Sequence, residues 1–95
     1  NMLKIVTVCG NGIGSSLMLK MKIEEICEEE GIKNISVESS DFNGALSKQA
    51  DLIVTVEEIA NQIPDSQEKV VIRSYINKKK IREDVLDKIK KLLEN

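Results

Sequence analysis

The chain has no histidine. That absence removes the commonest general base and the commonest phosphoryl-accepting ring, leaving cysteine, carboxylate, lysine or backbone to carry any chemistry. Cysteine itself is scarce: Cys9 and Cys27 stand far apart, form no CxxC pair and have no imidazole to complete a zinc site. No metal is expected, and both read as free thiols of a reducing compartment. Positive charge is not in excess either. With 14 basic and 16 acidic side chains and a formal net charge of -2, no field exists to hold a polyphosphate backbone, which argues against nucleic acid as a partner. No apolar run approaches the roughly 20 residues that span a bilayer, and the N-terminus lacks the basic, apolar and small-residue order of a signal peptide. The protein is accordingly expected in the cytoplasm, without direct membrane insertion and without a cofactor.

What is present has the profile of an ordinary folded domain: 41% apolar and 32% charged residues, both signs scattered along 95 positions. That length supports one core of modest size and no second one. Residues 2–95 are therefore expected to form a single domain, and Asn1 ahead of Met2 reads as the remnant of an expression tag. Strand and helix signals alternate. Leu3 to Val8, Ile35 to Ser39, Leu52 to Val56 and Lys69 to Arg73 are short apolar or β-branched runs, the third almost wholly apolar as befits a central strand covered on both faces. Ser15 to Glu30 places Leu19, Ile23, Ile26 and Cys27 at helical spacing, with Gly31 as a C-cap. Short helices are expected over Gly44 to Gln49 and over Glu57 to Gln62, the latter ahead of Pro64. A last helix over Lys79 to Leu93 carries Ile81, Val85, Ile89, Leu92 and Leu93 on one stripe.

This alternation predicts an α/β fold with a four-stranded parallel sheet in the order 2-1-3-4, right-handed crossovers and helices on both faces. The chain then leaves the opening strand on one side and later returns to its other side, and such a switch point opens a crevice at the carboxyl ends of the strands. Cys9, the first residue beyond the opening strand, lies in that crevice.

The stretch Cys9-Gly10-Asn11-Gly12-Ile13-Gly14-Ser15-Ser16 carries the functional signal. Its glycines let the backbone curl through conformations closed to other residues and bare its N–H groups. Successive amides can form an anion nest, joined by those of Gly14, Ser15 and Ser16 in the uncapped first turn of the helix. Asn11 and Ser16 add an amide and a hydroxyl that can donate to phosphate oxygens or cap the helix. In such surroundings the Cys9 thiol is expected to ionise below the free value of about 8.5.

Other phosphate loops fit less well. A Walker A loop needs lysine where Ser15 stands, and the glycine spacing is not G-x-G-x-x-G. A receiver domain would end its opening strand in acids rather than Cys9. The cysteine phosphatase loop, C-x5-R-[ST], shares Cys9 and Ser16 but has arginine at the position of Ser15. Without that clamp, capture of free phosphoesters and attack by water are weakened. A site that accepts a phosphoryl group from one protein and yields it to a positioned acceptor fits better than a hydrolase. The overall fold expected is nonetheless Rossmann-like, resembling low-molecular-weight cysteine phosphatases.

The segment Lys4 to Lys22, KIVTVCGNGIGSSLMLKMK, resembles the enzyme IIB components of the phosphoenolpyruvate-dependent sugar phosphotransferase system, of the lactose, ascorbate and galactitol type. CGNG-x-GSS followed by KMK is most similar to the ascorbate branch, with galactitol next. In length and element order the resemblance extends over essentially the whole chain. It implies that Cys9 is the phosphorylation site, that the donor is a phosphohistidine of a IIA protein, and that the acceptor is a sugar held by a membrane-embedded IIC permease. The alternatives are a low-molecular-weight phosphatase or arsenate reductase, or a IIB-like regulatory module.

Residues outside the loop are read as follows. Cys27 falls on the apolar stripe of the first helix, as a buried small hydrophobe. Met18 and Met21 either pack in the core or form an adaptable rim around the site. Lys20 and Lys22 lie within two turns of the loop, either to draw a phosphorylated partner or simply solvated. Glu57 and Glu58 would face the same rim as Cys9, as partner contacts or as acids placed on a helix dipole.

Overall fold

In the computed structural model, which describes residues 2–10 and 12–94, the apolar run Leu3–Val8 forms β1 and leads through Cys9 into α1 (Ile13–Glu29). There follow β2 (Ile35–Ser40), α2 (Phe42–Leu46), β3 (Leu52–Thr55), α3 (Glu57–Ala60), β4 (Lys69–Val71) and α4 (Lys78–Leu93). The strands pair in parallel in the order β2-β1-β3-β4. The architecture is the expected α/β fold. Asn1 and Asn11, to which sequence readings were attached, lie outside the described residues.

Alternation along the central strands divides the core between two faces. Ile5, Leu52 and Val54 belong with Leu19, Ile23 and Ile26 of α1 and with Ile81, Val85 and Ile89 of α4. Val6, Val8 and Ile53 turn the other way, toward Ala45 of α2, Ile59 of α3 and Ile63. Every residue of β3 is buried, which is why its sequence is apolar up to Thr55 rather than alternating. Ile81, Val85 and Ile89 are fully buried, and each contributes up to about 1.5–3 kcal/mol for the apolar area removed from water.

Local chemistry sets the element ends, and it moves some of them from their predicted places. Glycine closes α1: Gly31 takes φ 72°, its N–H donates to the Glu28 carbonyl at 3.1 Å, and Ile32 N–H donates to the Cys27 carbonyl at 2.8 Å. At its other end α1 starts at Ile13 rather than Ser15. Helix α2 starts earlier than Gly44, because the Asp41 carboxylate accepts from the Gly44 N–H at 2.7 Å and caps it. Asn77 caps α4 in the same way, from Lys80 N–H at 3.0 Å. Strand β4 stops short of Arg73, whose N–H donates to Asp84 Oδ2 at 2.9 Å instead of to the ladder.

Across the outside, Lys78 pairs with Glu25 at 3.3 Å and with Glu29, and Arg82 pairs with Glu29 and with Glu30 at 2.6 Å. These contacts tie the end of α1 to α4. Among the described residues no helix is long and apolar enough to cross a membrane.

Candidate active site

Strand β1 is bonded on both edges, to β2 and to β3, so the position of its C-terminal tip is set by two ladders. Cys9 follows directly. Its side chain joins the α1/α4 core, and only 7% of the residue is exposed. Gly10 is exposed, and a Cβ there would stand 3.8 Å from Ile59 Cδ1, so α3 abuts the loop at van der Waals distance. Gly12 then takes φ 93° and ψ -176° at the N-cap of α1, a backbone state that glycine alone adopts without strain. Ile13 opens the helix with its residue 67% exposed.

Among the described residues no side chain caps α1. The amides of Gly12, Ile13, Gly14 and Ser15 thus have no partner within the helix, and they sit at the positive end of its dipole. This corrects the expected donor set. With the helix starting at Ile13, the Ser16 N–H bonds back to the Gly12 carbonyl inside the helix. The Ser16 hydroxyl is also spent: Ser16 is fully buried and its Oγ donates to the Ile13 carbonyl at 2.9 Å. Nor do all the glycines serve conformation. Of Gly10, Gly12 and Gly14 only Gly12 has positive φ, and Gly14 is an ordinary helical residue with open space where a Cβ would go.

The ionisation of Cys9 also departs from expectation. Burial penalises the thiolate and pushes the Cys9 thiol above its ordinary value. Inclusion of the sulfur in the apolar core favours the thiol, opposite in direction to the nearby helix terminus. Cys27 is 1% exposed within the same core, as its place on the stripe predicted, and burial followed by the charge of Glu30 raises its thiol too.

The remaining candidates lie along α1 and at the start of α3. Met18 and Met21 are exposed rather than in the core, and with Ile13 and Leu17 they make an apolar stripe along α1 away from the loop. Lys20 pairs with Glu24 at 3.4 Å, one turn further on, and Lys22 is half-buried. Glu57 and Glu58 stand exposed in the first turn of α3. They border an open groove of about 540 Å³ whose other side is Arg73 to Ile76.

Two residues were not singled out in the sequence. Thr7 Oγ1 donates to the Ser16 carbonyl at 2.7 Å, and Thr55 Oγ1 donates to the Val8 carbonyl at 2.7 Å, both from fully buried side chains. The signal was there: threonine inside a strand buried on both faces must spend its hydroxyl on something.

Residues 4–94 match the family described as the PTS system, Lactose/Cellobiose specific IIB subunit. The ascorbate-specific PTS system EIIB components of Escherichia coli O157:H7 and Salmonella typhimurium are each 34% identical over 71 residues, covering 73% of this chain and 69% of the relative. The fold is that of the lactose-specific IIB component domain of the phosphoenolpyruvate:carbohydrate phosphotransferase system from Streptococcus pneumoniae. That likeness has a TM-score of 0.63 at 16% identity and covers 95% of this chain and 97% of the other.

Proposed function

Because the chain belongs to the lactose/cellobiose-type IIB subunits of the phosphotransferase system, we propose that Cys9 is a phosphoryl carrier working in the cytoplasm. It accepts the group from a phosphohistidine of a IIA protein and delivers it to a sugar held by a membrane-embedded IIC permease. The observation that carries this reading is the placement of Cys9: the first residue beyond the central strand β1, leading into an α1 whose first turn has no side-chain cap among the described residues. Gly10, Asn11, Gly12, Ile13, Gly14 and Ser15 form the phosphate cradle around it.

In the first transfer Sγ attacks phosphorus, and the S–P bond forms as the P–N bond to the donor ring breaks. The thiol proton passes to the departing imidazole. A cysteine kept protonated by burial suits a donor that leaves as a base, and a chain without histidine must take that ring from its partner. The oxygens of the bound dianion then face the uncapped amides. In the second transfer a sugar hydroxyl oxygen attacks phosphorus, the O–P bond forms as S–P breaks, and the hydroxyl proton balances the returning thiol. Ser15 in place of the phosphatase arginine leaves attack by water without its clamp. Ascorbate is the proposed sugar, supported by the CGNG-x-GSS segment and the names of the relatives.

The test is incubation with phosphoenolpyruvate, the general phosphotransferase proteins and a matching IIA, read by intact mass. One phosphoryl group should appear on the wild type and be absent in Cys9→Ser. A wild type that stays unmodified, or a Cys9→Ser protein that still gains the group, overturns the assignment.

A further inference from the structure

The loop between β1 and α1 is held at both ends by buried hydroxyls that come from opposite faces of the sheet. At its entrance, Thr55 pairs with Val8 in register, and its Oγ1 donates to the Val8 carbonyl at 2.7 Å. Thr55 follows Ile53 by two positions in β3, so it shares the face that packs on α2 and α3. At its exit, Thr7 lies on the face of Ile5, toward α1 and α4, and its Oγ1 donates to the Ser16 carbonyl in the first turn of α1 at 2.7 Å. A second carbonyl, that of Glu38, lies at 3.4 Å from the same hydroxyl. Since a hydroxyl has one proton, the shorter contact is the bond.

These contacts bear on the sulfur directly. The Val8 carbonyl and the Cys9 N–H belong to one planar trans peptide. Fixing the carbonyl fixes that plane, which leaves φ of Cys9 and one side-chain torsion to aim Sγ. Fixing the Ser16 carbonyl fixes the first helical turn, and with it the direction of the amides of Gly12 to Ser15. The distance and angle between sulfur and amides are therefore set by two hydroxyls that touch neither.

We infer that Thr55 and Thr7 are positioning residues of phosphoryl transfer, aligning the Cys9 sulfur with the amides of the α1 first turn. The inference rests on the reading of Cys9 as the carrier. Hydroxyl removal without change of shape, Thr55→Val, moves the Val8–Cys9 peptide and mis-aims the sulfur; Thr55→Ser retains the donor. Thr7→Val displaces the amides instead.

The experiment measures two things on the full chain, each at temperatures well below the unfolding midpoint: the rate constant for phosphorylation by phospho-IIA, and the pH profile of Cys9 alkylation by iodoacetamide. Ile81→Val, a core change on α4 that removes no hydroxyl, serves as the stability control. Thr55→Val and Thr7→Val should slow phosphorylation by roughly tenfold to a hundredfold and shift the alkylation profile, Thr55→Ser should restore both, and Ile81→Val should change neither. If Thr55→Val does not fold, Thr55→Ala and Thr7→Val carry the same comparison. Transfer within about twofold of wild type in the hydroxyl-deleted variants, or an equal loss in Ile81→Val, overturns the inference. Failure of the wild type to accept phosphate condemns the carrier reading instead, and the alkylation profile still decides whether the hydroxyls aim the sulfur.

Discussion

Across one peptide bond Gly12 holds φ at 93° while Ile13 is already the first residue of α1. The turn into the helix is completed by a single residue in a conformation that side chains resist, with no described atom beyond its chain neighbours within 4 Å of the place a Cβ would occupy. Strain there comes from the backbone alone. Gly12→Ala should destabilise the fold by about 1–3 kcal/mol. Gly14→Ala, in the helix with equally open space, should stabilise it by about 0.5–1 kcal/mol. Urea unfolding of the two variants gives opposite signs; equal signs would show that both glycines serve the same purpose.

Burial raises the thiols of Cys9 and Cys27, and the sign of the consequence is fixed by linkage. Between the ordinary thiol value and the raised ones the folded chain binds more protons than the unfolded chain, so stability falls with increasing pH in that window. Their contribution is complete below the ordinary thiol range and disappears as pH rises through the folded values. Unfolding midpoints should decline through alkaline pH, and the decline should shrink in Cys27→Ser. In the same window Cys9 should alkylate more slowly than free cysteine and continue to accelerate after free cysteine has levelled off.

At acid pH the ion pairs between α1 and α4 contribute. Glu29 is held below the usual carboxylate range, first by the hydrogen bond from Lys78 and further by that from Arg82. A depressed carboxylate contributes stability that is present above its unfolded value and lost as pH falls through the folded one. Glu29 is exposed and its partners only half-buried, so the pairs are screened and the effect is modest and salt-dependent. Glu29→Gln should flatten the acid limb of the stability profile by slightly lowering stability at neutral pH and leaving the acid end unchanged, and high salt should reproduce the flattening in the wild type.

Two apolar residues of comparable size on opposite sides of the chain's surface separate folding from docking. Ile81 is fully buried between α4 and the sheet, so Ile81→Ala should cost about 2–5 kcal/mol. Leu17 is exposed one turn beyond Ile13, and Leu17→Ala should change stability by less than about 0.5 kcal/mol. If a phosphoryl donor covers the loop, Leu17→Ala should raise the donor concentration needed for half-maximal transfer several-fold. An unchanged concentration dependence would place the contact elsewhere.

The fold was legible because each strand signal was bounded by residues that could not continue it, and because β3 was too apolar to lie anywhere but the centre. The position of Cys9 followed from the same logic. What the loop does in detail was less legible. The start of α1 depends on how the chain turns at Gly12, and moving it from Ser15 to Ile13 changes which amides are free and takes Ser16 out of the proposed cradle. The thiol was misjudged for a related reason: the glycines announce nearby donors, but the packing of the sulfur with Ile5, Leu19 and their neighbours is a tertiary fact. Thr7 and Thr55 stood in plain view as polar interruptions of apolar runs, yet their bonds to Ser16 and Val8 depend on how the sheet is assembled.

Cys9 is anchored to the inner strand of the sheet on a side chain with a single torsion before its sulfur. It is a mooring post rather than a swinging arm. On the proposed reading of Cys9 as the carrier, a cargo fixed to it travels only as far as the whole protein does, so donor and acceptor must take turns at one berth, and turnover includes the departure of the first before the second arrives. Joining this chain to either partner by a flexible linker long enough to span the two positions would convert one of those encounters into an intramolecular event. Its frequency would then be governed by tether length rather than by cellular abundance.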